Sequence, residues 1–84
     1  MQFSITINHD RKNIRLQIEV MKMERFKEVY RVIARNQWFV LENNRPLLIH
    51  KGLKNFPIQW KVTQGGYNNQ NILDKITKEI EKKI

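Results

Sequence analysis

Two alternating stretches open the chain. Phe3, Ile5 and Ile7 alternate with Ser4, Thr6 and Asn8, and Ile14, Leu16, Ile18 and Val20 alternate with Arg15, Gln17, Glu19 and Met21. A period of two puts the apolar members on one side of a half-buried strand. The polar run His9-Asp10-Arg11-Lys12 can close them into an antiparallel pair. Setting Asn8 opposite Asn13 aligns Ile7 with Ile14, Ile5 with Leu16 and Phe3 with Ile18, and leaves Ser4, Thr6, Arg15 and Gln17 on the outer side.

Residues 29–42 hold the longest apolar, β-branched and aromatic run, broken once at Asn36-Gln37. With those two residues as a hairpin loop, one face pairs Arg35 with Trp38, Ile33 with Val40 and Arg31 with Glu42. The other pairs Ala34 with Phe39 and Val32 with Leu41, with Tyr30 beside Asn43. A cation over an aromatic ring and opposite charges across strands are favourable combinations. A helical reading of residues 21–35 competes, because Phe26, Val29, Tyr30 and Ile33 fall on one helical stripe. The β-branched and aromatic content, and the consistent pairing on both faces, favour strand. Asn36-Gln37 lacks the Gly that a type I′ turn prefers, and a longer loop would change the pairing.

Asn43-Asn44-Arg45-Pro46 is turn chemistry and stops the fourth strand. Residues 47–57 read as a structured connection with a short edge strand at 47–49. Ile58, Trp60 and Val62 alternate with Gln59, Lys61 and Thr63 as a fifth strand, which Gln64-Gly65-Gly66 ends with residues that tolerate positive φ. A terminal helix follows, with Asn71 as N-cap, Asp74 at N3, and Ile72, Leu73, Ile76, Ile80 and Ile84 as its apolar stripe. Asp74 with Lys78, and Glu79 with Lys83, are favourably ordered i, i+4 pairs. The expected architecture is therefore α+β: one domain over residues 1–84, with a mainly antiparallel five-stranded sheet and one C-terminal α-helix packed on one face. Phe3, Ile5, Ile7, Leu16, Ile18, Val32, Phe39, Leu41, Trp60, Ile76 and Ile80 form the expected core.

Composition adds one unusual fact. The net charge is +8, and residues 1–68 hold twelve of the sixteen Lys and Arg against five acids. From Asn43 to Leu73 there is no Asp or Glu, while Arg45, Lys51, Lys54 and Lys61 supply cations. Abundant Ile, Asn and Lys is what an AT-rich genome produces, but that bias raises Glu as well, and the acid-free run goes beyond it. Excess positive charge bears on partners, not on fold. Without cysteine there are no disulfides and no thiolate metal ligands. No apolar run approaches the ~20 residues of a membrane span, and the alternating N-terminus is not a signal peptide, so the expectation is a cytoplasmic domain with no membrane partner.

Chemistry has few candidates. His9 and His50 are the only histidines, and neither has the three or four convergent ligands a metal needs. Ser4 lies mid-strand without a Gly elbow. Gly65-Gly66 lacks the spacing and Lys of a phosphate loop. The expectation is a non-enzyme with no cofactor and no metal. The terminal helix has a polar face of alternating signs, which suits a solvated face better than a membrane or partner helix.

Two features point outward. One is the mixed hairpin face of Arg31, Ile33, Arg35, Trp38 and Val40. The other is the basic, aromatic-interleaved stretch with Arg45, Lys51, Lys54, Phe56, Trp60, Lys61 and Tyr67, in which Trp60 reads as core and Phe56 as a loop anchor. Residues 47–56 folding over the mixed face would cover Trp38. Cations track phosphates while exposed aromatics stack bases, the ingredients of single-strand binding. The candidate nucleic-acid-binding residues are thus Arg31, Arg35, Trp38, Arg45, Lys51, Lys54 and Lys61. Strands followed by one C-terminal helix also resemble, in element order, the PUR repeat, a family of single-stranded nucleic-acid-binding sheets; no motif matches, so no residue is carried over. The alternative is a protein-interaction or homodimerisation module, since an amphipathic second sheet face often meets a protein partner.

Overall fold

Five strands follow one another across a single antiparallel sheet in the order β1-β2-β3-β4-β5. They are β1 (Gln2–His9), β2 (Lys12–Met23), β3 (Glu28–Ile33), β4 (Trp38–Asn43) and β5 (Trp60–Gln64), with a short α1 (Arg45–His50) before β5 and the terminal α2 (Gln70–Glu81) after it. The structure is a computed structural model and describes residues 2–53, 55–65 and 69–84. The α+β class and the C-terminal helix are as expected, and residues 28–33 are strand, not helix.

The first hairpin has the expected register throughout, from Phe3 opposite Ile18 to Asn8 opposite Asn13. Its loop is Asp10-Arg11, both at positive φ (53° and 63°), the backbone of a type I′ turn. β2 runs on to Met23, and its pairing with β3 shifts register between Val20 and Lys22.

The central hairpin differs. Ala34 N–H donates to Gln37 O at 2.8 Å, so the tip is Arg35-Asn36, one residue earlier than expected. The pairing therefore slips by two: Ile33 opposes Trp38, Arg31 opposes Val40, Val32 opposes Phe39 and Tyr30 opposes Leu41. A slip of two preserves the alternation, so each side chain keeps its expected face while its neighbour changes. Arg35 is not beside Trp38, and Arg31 is not opposite Glu42.

The expected edge strand at 47–49 is helix. Pro46 stands in the first turn of α1. At the other end Leu53 N–H reaches Leu48 O (2.8 Å) and Gly52 N–H reaches Ile49 O (3.1 Å), a Schellman closure with Gly52 at φ +70°. The fifth strand begins at Trp60, not Ile58. α2 starts earlier than expected: the Asn69 side chain, not that of Asn71, accepts from the N–H groups of Asn71 and Ile72. The side-chain pairs of α2 shift too, to Gln70 with Asp74 (2.8 Å) and Lys82 with Glu79 (2.6 Å).

α2 lays Ile72, Ile76 and Ile80 on the face formed by Ile5, Ile7, Leu16, Ile18, Tyr30, Val32, Phe39 and Leu41. Phe3 and Trp60, expected in the core, are half-buried at its margin, and Tyr30 and Ile72 join its centre. Among the described residues no helix lies over the opposite face. Among the described residues no helix is long and apolar enough to cross a membrane.

Candidate functional site

Alternation sends Arg31, Ile33, Trp38 and Val40 to the side away from α2, together with Ser4, Thr6, Arg15, Gln17 and Glu19. Trp38 is the first residue of β4 and stays 49% exposed, so it is not covered from across the sheet by the described residues of 47–56. Its backbone is held from behind. Gly65, at φ +79°, approaches so closely that a Cβ there would lie 2.8 Å from both the Trp38 carbonyl and Phe39 Cβ. Only glycine fits both the angle and the space.

The cation over Trp38 is Arg31, its guanidinium carbon 5.9 Å from the ring centroid. A chain of side chains orients it. Gln17 donates to Gln2 (2.6 Å), Gln2 to Glu19 (3.2 Å), and Arg31 donates to the other Glu19 oxygen. Arg31 thus shares one charge between a carboxylate and a ring face, and the pair remains partly open to water.

Beside this pair runs a shallow groove of about 700 Å³, lined by Ser4, Arg15, Gln17, Ile33, Ala34 and Arg35. Arg15 donates to the Ser4 hydroxyl at 3.5 Å. Among the described residues no carboxylate pairs with Arg15 or Arg35. The β3–β4 loop end of the open face therefore presents two uncommitted guanidinium groups beside an exposed indole. Sequence reasoning had Arg15 on the outer side of the first hairpin without joining it to the site. The link is the pairing of Gln17 with Ile33, which sets β2 alongside β3.

The other expected cations are elsewhere. Arg45 Nη1 sits 2.7 Å from Glu28 Oε2, whose side chain is only 2% exposed, so it neutralises a buried carboxylate at the α1 end of the sheet. Tyr30, next to Glu28 on the same face, has its phenol pKa raised by burial first and by the Glu28 charge second, with Arg45 opposing. Lys61 lies on the open face but near Glu42 (3.9 Å), which also faces Lys27 at 3.6 Å. Lys51 caps the C-terminus of α1, where neighbouring His50 packs edge-on against Phe26 at 5.7 Å. It is far along the sheet from Trp38, since α1 follows the last residue of β4. Lys54 and Tyr67 lie outside the described residues. Trp60 faces α2: it donates to Glu81 at 2.9 Å and leans on Tyr30 with centroids 5.8 Å apart. Among the described residues no group of three or more His, Asp or Glu is placed to hold a metal.

Compared with known proteins, the chain matches no protein family, no curated protein and no solved structure. Its likeness to the PUR repeat stays at element order.

Proposed function

We propose that this chain is a small, basic, non-catalytic module of the cytoplasm that binds single-stranded nucleic acid on its open sheet face. A base stacks on Trp38 beside the Glu19-paired Arg31, and phosphates meet Arg15 and Arg35. The observation that carries this reading is the half-exposed indole under Arg31, set beside a groove whose two further arginines have no acidic partner among the described residues. A flat aromatic accepts any base, and guanidinium groups bind phosphate bidentately while remaining stackable, so the combination favours unpaired strands over duplex. Lys61 and Lys51 extend the positive field toward the other end of the sheet. Arg45 is left out, because its charge is spent on Glu28.

Retention of fluorescent single-stranded DNA and RNA, measured over a range of salt, tests the reading. With about two phosphates neutralised, log K falls against log salt with a slope near −1.4. Arg15→Ala with Arg35→Ala weakens every sequence alike, because phosphate contacts carry no sequence information. No retention at low salt contradicts the proposal and returns the open face to the protein-interaction alternative.

A further inference from the structure

The two edges of the sheet are unlike each other. β5 has five residues, carries Lys61 and pairs with β4 across an irregularity at Val40/Leu41. Shortness, charge and irregular pairing all keep an edge from recruiting another strand. β1 has none of these protections in its own residues, although Lys75, Lys78 and Lys82 of α2 flank it at Thr6, Ile7 and Asn8. Its eight residues contain no Lys, Arg, Asp, Glu or Pro, and its register with β2 is unbroken.

The turn shows which backbone groups of β1 face outward. With Asp10-Arg11 as a two-residue I′ loop, His9 and Lys12 form a hydrogen-bonded pair. Hydrogen-bonded and non-hydrogen-bonded pairs alternate along an antiparallel ladder. Ile7, Ile5 and Phe3 therefore direct N–H and C=O toward β2, while Asn8, Thr6, Ser4 and Gln2 direct theirs away from the sheet. Lys75 Nζ meets the Asn8 carbonyl at 2.8 Å, in keeping with that direction, and closes this end of the edge. Gln2, Ser4 and Thr6 are left presenting unused backbone groups to solvent.

We infer that two copies of this chain join through β1, edge to edge and antiparallel, about a two-fold axis at Ser4. The free segment is self-complementary. Centred on Ser4, it sets Gln2 of each copy against Thr6 of the other and Ser4 against Ser4, giving about six backbone hydrogen bonds. Phe3 of one copy faces Ile5 of the other on the α2 side, which extends both cores and covers the half-buried Phe3. No charges oppose each other within the paired segment. A two-fold axis normal to the sheet puts both α2 helices on one side and both open faces on the other, so Trp38 appears twice on one continuous surface. The pairing does not rest on nucleic-acid binding and has the opposite salt dependence. Each copy carries +8, so added salt relieves repulsion and strengthens association.

Sedimentation equilibrium of the whole chain at high salt, from micromolar to millimolar, tests the inference. The mass rises from 10.2 kDa toward twice that value. Ser4→Pro removes an outward N–H, which an edge strand tolerates, and the exposed Ser4 hydroxyl that meets Arg15 at 3.5 Å, so it keeps the native circular dichroism spectrum while the mass stays at 10.2 kDa. The chain has no cysteine of its own, so Ser4→Cys introduces a single thiol. Across a hydrogen-bonded pair the two Cα atoms lie about 5.5 Å apart, within disulfide reach, and the variant oxidises to a covalent dimer. Thr6→Cys does not, since its equivalents are separated by roughly 13 Å along the strands. A mass fixed at 10.2 kDa at millimolar concentration overturns the inference. So does a dimer that survives Ser4→Pro and cross-links equally at positions 4 and 6.

Discussion

The two tryptophans sit on opposite faces of one sheet and have opposite fates. Trp60 is held by Tyr30 and by a hydrogen bond to Glu81 of α2. Trp38 is left half in water, with Arg31 above it and the Gly65 backbone behind. β5 alternates Trp60 and Val62 with Lys61 and Thr63, so its pattern places Trp60 inward, whereas β4 is apolar on both faces and its pattern leaves Trp38 undecided. The difference is cover. α2 has one apolar stripe and covers one face. On the other face Val29 and Val40 are buried without a helix, among the longer side chains of Lys22, Arg31 and Glu42 on the paired strands. The open face is thus mostly sealed by its own residues, and Trp38 is the part left showing.

The sharpest way to break this comparison is to empty one site on each face. Phe39→Ala removes a ring from beneath α2 and should cost roughly 3–5 kcal/mol in urea-melt stability. Trp38→Ala, one residue away, should cost only about 1 kcal/mol, the worth of the Arg31 contact over its half-exposed ring. Equal losses would show that the two faces are packed alike.

Next in size is the ion pair beneath α1. Arg45→Ala strands the Glu28 carboxylate in the interior, and breaking a buried pair in this way costs roughly 3–5 kcal/mol. The lower end applies, because the Arg45 side chain is 30% exposed. A thermal melt unchanged by Arg45→Ala would free that arginine for ligand and restore the wider basic patch.

Tyr30 adds a pH signature on the covered face. Its native pKa is raised, so the folded state holds the neutral phenol more tightly than the unfolded chain does. That stability is fully present below the unfolded value of about 10 and is lost as pH rises beyond it. Tyr30→Phe should flatten the alkaline arm of the stability curve. The smallest effect belongs to the open face: Arg31→Ala should cost only about 0.5–1 kcal/mol, the worth of an exposed cation over a ring. A loss as large as that from Phe39→Ala would mean that Arg31 belongs to the core.

What could be read from the chain depended on how local the cause was. The first hairpin was legible residue by residue, because a period of two and a two-residue turn determine it together. In the central hairpin the faces were legible and the partners were not. Alternation survives a slip of two, and only the Ala34–Gln37 closure decides the register. Pro46 reads as turn chemistry in the sequence, yet it stands in the first turn of α1, which Gly52 closes at its C-terminus. At the site, Trp38 and Arg31 were legible from one hairpin. Arg15 required the pairing of β2 with β3, which leaves no short-range trace. Arg45 was misjudged for the same reason: an acid-free run says nothing about Glu28, which is distant in sequence and 2.7 Å away in space.

The central claim is that Trp38, and not Trp60, is the surface on which a single strand stacks. The direct measurement is the fluorescence of Trp60→Phe, whose only indole is Trp38, during titration with single-stranded DNA or RNA at low salt. Its emission should be quenched as the strand binds and recover on adding salt, while Trp38→Phe, retaining Trp60, shows little change. Binding that leaves Trp38 emission untouched, or that quenches Trp60 instead, would contradict the account.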